Sequence, residues 1–366
     1  MDDMLSRWYQ QYVKLRDFIS AHPEIQIENG FVGIPENIRT EFFRLFNDVR
    51  ISFLEEQFSE LLKEVKLLQM NYARTEREIV MLLGLDEVSI VSDLRKFLHD
   101  PRDRLMRELF DLLFYLLKGK IEAEMFQSEA SKNVKSAYTK LYRLAYQKWI
   151  TLSLVKMLEA DQCLSLRIPS LEMSPRGPVV IVDSKPVPQP EESRFLSFEH
   201  DTTPVFVVPD FVIHSRKLDR YLGFRSELRG LGTITEVMWT ASRVSEGREW
   251  YNIKSPRDKR NLLALRFALI IYVSGRPEDI ALIADSEKIC RPDLIVECNV
   301  QDDQFDEDLR RINLYKSPLR PKKGIFLVLK DSVPSLTYEK GGGDIHLLTV
   351  HFDQPKLGAI VKMLLS

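Results

Sequence analysis

Between Glu36 and Leu83 the chain has no proline or glycine, and apolar side chains return at helical spacing, as at Leu54, Phe58, Leu61, Val65 and Leu68. This pattern predicts one long helix or a hairpin of two. Pro35 suits its first turn, where a missing N–H costs nothing, and Gly84 suits its stop. Further helices are expected over about 103–117 and 131–158, so the first 160 residues read as α-helical.

The pattern then changes. Eight of the 18 prolines fall between Pro169 and Pro209, and β-branched runs such as Val179-Val-Ile-Val182 appear. Strands are expected near 163–168, 178–183, 204–214 and 232–241. A helix over Arg257 to Val273 follows, with an apolar face of Leu262, Leu265, Ala268, Leu269 and Tyr272. Strands near 280–284, 294–298, 325–329 and 345–352 and helices near 305–315 and 355–365 complete the chain. The expected fold is α+β or α/β: a helical domain over 1–130, then a mixed-sheet domain over 131–366. Pro186-Val-Pro-Gln-Pro190 reads as a stiff exposed connection.

Two of the strand-like segments, Val205 to Ile213 and Thr233 to Thr240, each carry one carboxylate, Asp210 and Glu236, among apolar or β-branched neighbours. A carboxylate inside a sheet is costly unless it is paired, hydrogen-bonded or metal-bound. Adjacent strands lie ~4.8 Å apart, so facing carboxylates can reach one divalent ion such as Mg²⁺.

The succession Pro209-Asp210, a connecting segment and Glu236-x-Met238 resembles the core motif of the PD-(D/E)XK nuclease superfamily, the restriction-endonuclease-like fold. The expected αβββαβ order over roughly 133–285 is that superfamily's core, with 286–366 as additions. The resemblance implies a DNA-binding protein that hydrolyses phosphodiesters with Mg²⁺ in a defence or restriction setting. It places Asp210 and Glu236 at the metal, with Glu159 as the acid some members carry on the first core helix. Met238 stands where the family has a lysine that positions or deprotonates the attacking water; Lys254 and Lys259, at the start of the next helix, are the available substitutes.

A second Pro-Asp occurs in Arg291-Pro-Asp293-Leu-Ile-Val-Glu297-Cys-Asn299. Asp293 and Glu297 share a strand face but stand ~13 Å apart, too far for one ion. In the alternative register Glu297 pairs with Asp279 across a hairpin, and Asn299 takes the lysine's place. In the plainer reading Asp293 begins a strand and Glu297 pairs with an arginine such as Arg310.

Composition narrows the function classes. The net charge of −2 argues against coating nucleic acid by bulk electrostatics, but residues 210–270 hold 12 Lys and Arg against 7 Asp and Glu. Within them Arg216, Lys217, Arg220, Arg225 and Arg229 alternate with Tyr221 and Phe224, a pattern that suits phosphates and stacked bases. It suits an amphipathic helix equally, with Leu218, Tyr221, Leu222 and Arg225 at helical spacing. With no 18-residue apolar run and no signal-peptide start, membrane insertion is not expected and a cytoplasmic location is. Cys163, Cys290 and Cys298 make no CxxC pair and are expected as buried thiols. His99-Asp100 lacks the further histidine of a phosphohydrolase, and Gly341-Gly-Gly-Asp344 precedes a strand, so neither marks a site. The competing function is a catalytically inactive nuclease-like scaffold whose helical region binds a protein partner.

Overall fold

The computed structural model describes residues 6–28, 31–167, 172–174, 177–179, 189–198, 206–207, 209–226, 269–280, 282–283, 292–300, 305–319, 321–331 and 345–366. They form two compact units, residues 1–70 with 92–145 and residues 71–91 with 146–366. The division falls inside two long helices and not near residue 130.

The helical elements are α1 (Arg7–Ala21), α2 (Glu36–Gln57), α3 (Ser59–Leu83), α4 (Ser92–His99), α5 (Pro101–Met106), α6 (Phe110–Leu117) and α7 (Ala123–Met157). The expected Glu36–Leu83 helix is a pair, parted at Phe58, whose φ of −134° leaves the helical region. No glycine or proline marks this break; the Phe58 ring is buried 6.2 Å from Phe53. Gly84, at φ +62°, ends α3 as the sequence suggests. In the first unit Trp8 of α1, Phe53 of α2 and Phe126 of α7 meet with ring centroids 5.1 to 5.7 Å apart. These large rings supply much of the apolar burial there.

The second unit is built on an eight-stranded mixed sheet: β1 (Ala160–Arg167), β2 (Gln189–Glu192), β3 (Phe211–Ser215), β4 (Arg220–Arg225), β5 (Leu269–Ser274), β6 (Leu294–Asn299), β7 (Ile325–Leu329) and β8 (Ile345–Thr349). Its order is β2-β1-β3-β4-β5-β6-β7-β8. All pairs from β2 to β6 are antiparallel, whereas β6, β7 and β8 run parallel. Helix α8 (Phe305–Leu319) makes the crossover from β6 to β7, as a parallel pair requires, and α9 (Gly358–Leu365) follows β8.

Three expectations change. Leu269–Ser274, the end of the expected helix over 257–273, is strand β5, because a continuous run of Leu, Ile, Ile, Tyr and Val satisfies a buried central strand as well as a helix. Arg216–Arg225 is a hairpin, β3 to β4, and not an amphipathic helix. Its loop closes at Asp219, which takes φ +51° in the left-handed region that aspartate tolerates. Pro209 interrupts the expected strand over 204–214, so that β3 begins only at Phe211 in the sheet interior.

Register fixes which side chains share a face. Gly223 lies opposite both Val212 and Tyr272. A Cβ at Gly223 would run into the Ile280 methyl and approach Pro209 Cγ to 3.0 Å. We expect Gly223→Ala to lower the thermal midpoint and cost about 1–3 kcal/mol by chemical denaturation. Cys163 of β1 and Cys298 of β6 are buried as thiols. Burial pushes the Cys163 thiol up to about 12. At about pH 8 iodoacetamide should therefore leave Cys163 unlabelled in the native chain and label it once urea unfolds the protein, as read by mass spectrometry.

Candidate functional site

Asp210 sits one residue before β3, and the pairing of Phe211 with Phe224 sets it opposite Arg225 on β4. Its own N–H donates to the Phe224 carbonyl at 2.7 Å. Arg225 Nη1 donates to Oδ1 at 2.8 Å, while Oδ2 accepts from the Ser226 N–H at 2.7 Å and from Ser226 Oγ at 2.6 Å. Lys148 on α7 donates to Ser226 Oγ at 2.5 Å, and its ammonium stands 4.5 Å from the centroid of Phe198. Both ion-pair side chains are almost fully buried, 2% and 3% exposed. Burial pushes the Asp210 carboxyl up, while Arg225, Lys148 and the Ser226 hydrogen bonds pull it down.

The geometry places three of the expected site residues. Asp210, expected at Mg²⁺, accepts hydrogen bonds from protein donors at both oxygens and pairs with Arg225. Arg225, expected at phosphates, is that partner and is closed to solvent. Glu159, expected as a third metal acid, is exposed at the end of α7 with φ +53°, and its carbonyl accepts the Arg216 N–H at 3.3 Å. The register therefore sets it at the far end of β3 from Asp210, roughly 20 Å away at ~3.3 Å per residue. Glu236, Met238, Lys254, Lys259 and Arg229 lie outside the described residues.

The other cations of the segment reach solvent at the turn. Arg216 stands 3.7 Å from Asp161, Lys217 donates to the Met157 carbonyl at 3.4 Å, and Arg220 is exposed beside Gly275. His214 bridges Asp161 and Asp219 at 2.8 and 3.7 Å. Acids and bases are thus interleaved at this end of the sheet, which weakens it as a phosphate surface.

The second acidic constellation is also dispersed. Asp293 accepts the Val273 N–H at 2.7 Å and stands 3.5 Å from Lys322, so it begins β6 as in the plainer reading. Asp279 lies on the 3₁₀ turn Pro277–Ile280 and pairs with Arg276 at 3.1 Å. Ile280 packs over Gly223, and the pairing of Gly223 with Tyr272 sets that level beside Asp293, whereas Glu297 is four residues further along β6, ~13 Å. Asp279 and Glu297 therefore do not come together on one ion. Glu297 is buried, and Arg310, its expected partner, is exposed on α8. Asn299, in the lysine's place, donates from Nδ2 to Asp308 of α8 at 2.8 Å, with both residues buried.

Sequence reasoning missed the roles of Ser226, Lys148 and Asp308. A serine directly after Arg225 was the one local signal for the first of these. Among the described residues no group of three or more acidic, histidine or cysteine side chains is placed to hold a metal, and no helix is long and apolar enough to cross a membrane. No protein-family model, curated protein or solved structure matches the chain.

Asp210→Ala removes the carboxylate that the buried Arg225 guanidinium faces. We expect it to destabilise the protein by about 3–5 kcal/mol in urea unfolding, equally with Mg²⁺ and with EDTA. A midpoint of the wild-type chain that rises with Mg²⁺ and loses that rise in the variant would restore the metal role.

Proposed function

We propose that this chain is a binding protein with a nuclease-like sheet and without phosphodiester hydrolysis, acting through contacts of its helical region with a protein partner. The observation that carries this reading is the commitment of the Asp210 carboxylate to Arg225 and Ser226. Asn299 supports it, since an amide bonded to Asp308 cannot supply the cation that lysine brings to a scissile phosphate. The nuclease-like part of the proposal rests on the mixed sheet, in which the antiparallel strands β4, β5 and β6 adjoin a parallel pair, β6 and β7, joined by α8. The partner part rests on α3, which exposes Leu67 and Met70 at helical spacing. DNA binding is the second reading, favoured by the exposed Arg216, Lys217 and Arg220 at the β3–β4 turn.

Incubation of duplex and single-stranded DNA with the protein and Mg²⁺ or Mn²⁺ is expected to give no more product than with EDTA. Metal-dependent cleavage abolished by Glu236→Ala would return the chain to the hydrolases. If DNA is bound without cleavage, Arg216→Glu with Arg220→Glu should weaken binding to all sequences alike and lower its salt slope by about 2, measured by fluorescence anisotropy.

A further inference from the structure

The first unit has a groove of about 570 Å³ beside the Phe31–Gly33 strand, α2 and α6. That volume is within the range of small-molecule sites, ~300–1,000 Å³. Its walls combine two kinds of side chain. Phe43, Phe110, Phe114 and Tyr115 supply rings, and Arg39, Lys118 and Lys120 supply cations against a single acid, Asp111.

The rings are held in place. Phe114 packs on Phe46 at 4.7 Å and on Phe110 at 5.2 Å between centroids. Arg50 lies over Phe46 and Phe110 at 5.0 and 5.4 Å, and it is anchored by donating to the Met106 carbonyl and to Asn47. Phe110 and Tyr115 nevertheless keep 38% and 44% of their surface open. The cations are available. Arg39 donates to the Ile34 carbonyl at 3.2 Å, and Lys120 lies 5.8 Å from the Tyr115 centroid. Among the described residues no carboxylate is within ion-pair distance of Arg39, Lys118 or Lys120.

Fixed, half-open rings bordered by uncompensated cations match one ligand chemistry: a flat, apolar π-system that carries an anion. We propose that this groove binds a nucleobase together with its phosphate, either as a free nucleotide or as one unit of a single strand. The base stacks against Phe110 and Tyr115, and Lys118, Lys120 and Arg39 take the phosphate. Asp111 is placed to accept hydrogen bonds from a sugar hydroxyl or a base amino group. This inference is independent of the nuclease-like reading, because every residue it uses belongs to the first unit.

The test is calorimetric titration of the full chain with adenosine monophosphate, adenosine, inorganic phosphate and a short oligothymidylate. The variants are Lys118→Glu with Lys120→Glu, and Tyr115→Leu; Lys132→Glu, at an exposed position of α7, serves as the control. We expect the monophosphate to bind more tightly than adenosine or phosphate alone. The lysine reversal should weaken it roughly tenfold or more without moving the thermal midpoint, Tyr115→Leu should weaken it severalfold, and the control should leave it unchanged. Binding of oligothymidylate alone, with the same losses, identifies the single strand as the source and supports the proposal. It is overturned if neither nucleotide nor oligonucleotide binds, if inorganic phosphate binds as tightly as the monophosphate, or if the groove variants bind like the wild type.

Discussion

A guanidinium and a carboxylate taken out of water together constrain everything around them. Each ion loses several kcal/mol of hydration, and mutual attraction offsets that only when the remaining donors and lone pairs are also satisfied. Asp210 meets this condition because Ser226 covers the second carboxylate oxygen with two donors and Lys148 completes the Ser226 hydroxyl. The consequence is geometric. β3 can pair with β4 in only one register without stranding a charge, and α7 must hold Lys148 above that point. The stacking of Phe211 on Phe224, 5.2 Å apart, follows from the same register.

Much of this architecture was legible along the chain, and the limits have identifiable causes. Helices α2, α3, α6 and α7 and strands β1, β6, β7 and β8 sit where the sequence pattern puts them; β6 and β7 are buried on both faces, and as short β-branched runs they read as strands by length and composition. The β5 run is likewise buried on both faces, and its apolar residues fit either period. The β3–β4 hairpin was ambiguous for the opposite reason, since a short alternating stretch with cations at both ends also reads as a helix surface. Leu54 to Leu61 carried no sign of the break at Phe58, which is set by how that ring packs.

For the site, the sequence showed that Asp210 needed a partner but not which one. A metal and an arginine fifteen residues away answer the same electrostatic demand, and only the strand register decides between them. Arg225 looked like part of a basic, aromatic stretch because Arg216, Lys217 and Arg220 are its neighbours in sequence. In the hairpin they part company, with three cations at the open turn and one under the sheet. Sequence proximity of like charges therefore says little about a shared surface when the segment is a strand pair. The rings and cations of the first unit show the converse, since Arg39 and Lys120 lie far apart in sequence and border one groove.

Among the described residues the sheet ends on one side at β2, Gln189-Pro-Glu-Glu192. Proline there withholds an N–H from the outer edge, and two adjacent carboxylates repel an incoming strand of ordinary charge. A sheet of eight strands with five buried central ones is otherwise a template that another chain could extend. At β2 that extension is blocked by composition, so the protein carries its own protection against edge-to-edge aggregation on the side where its strands are antiparallel.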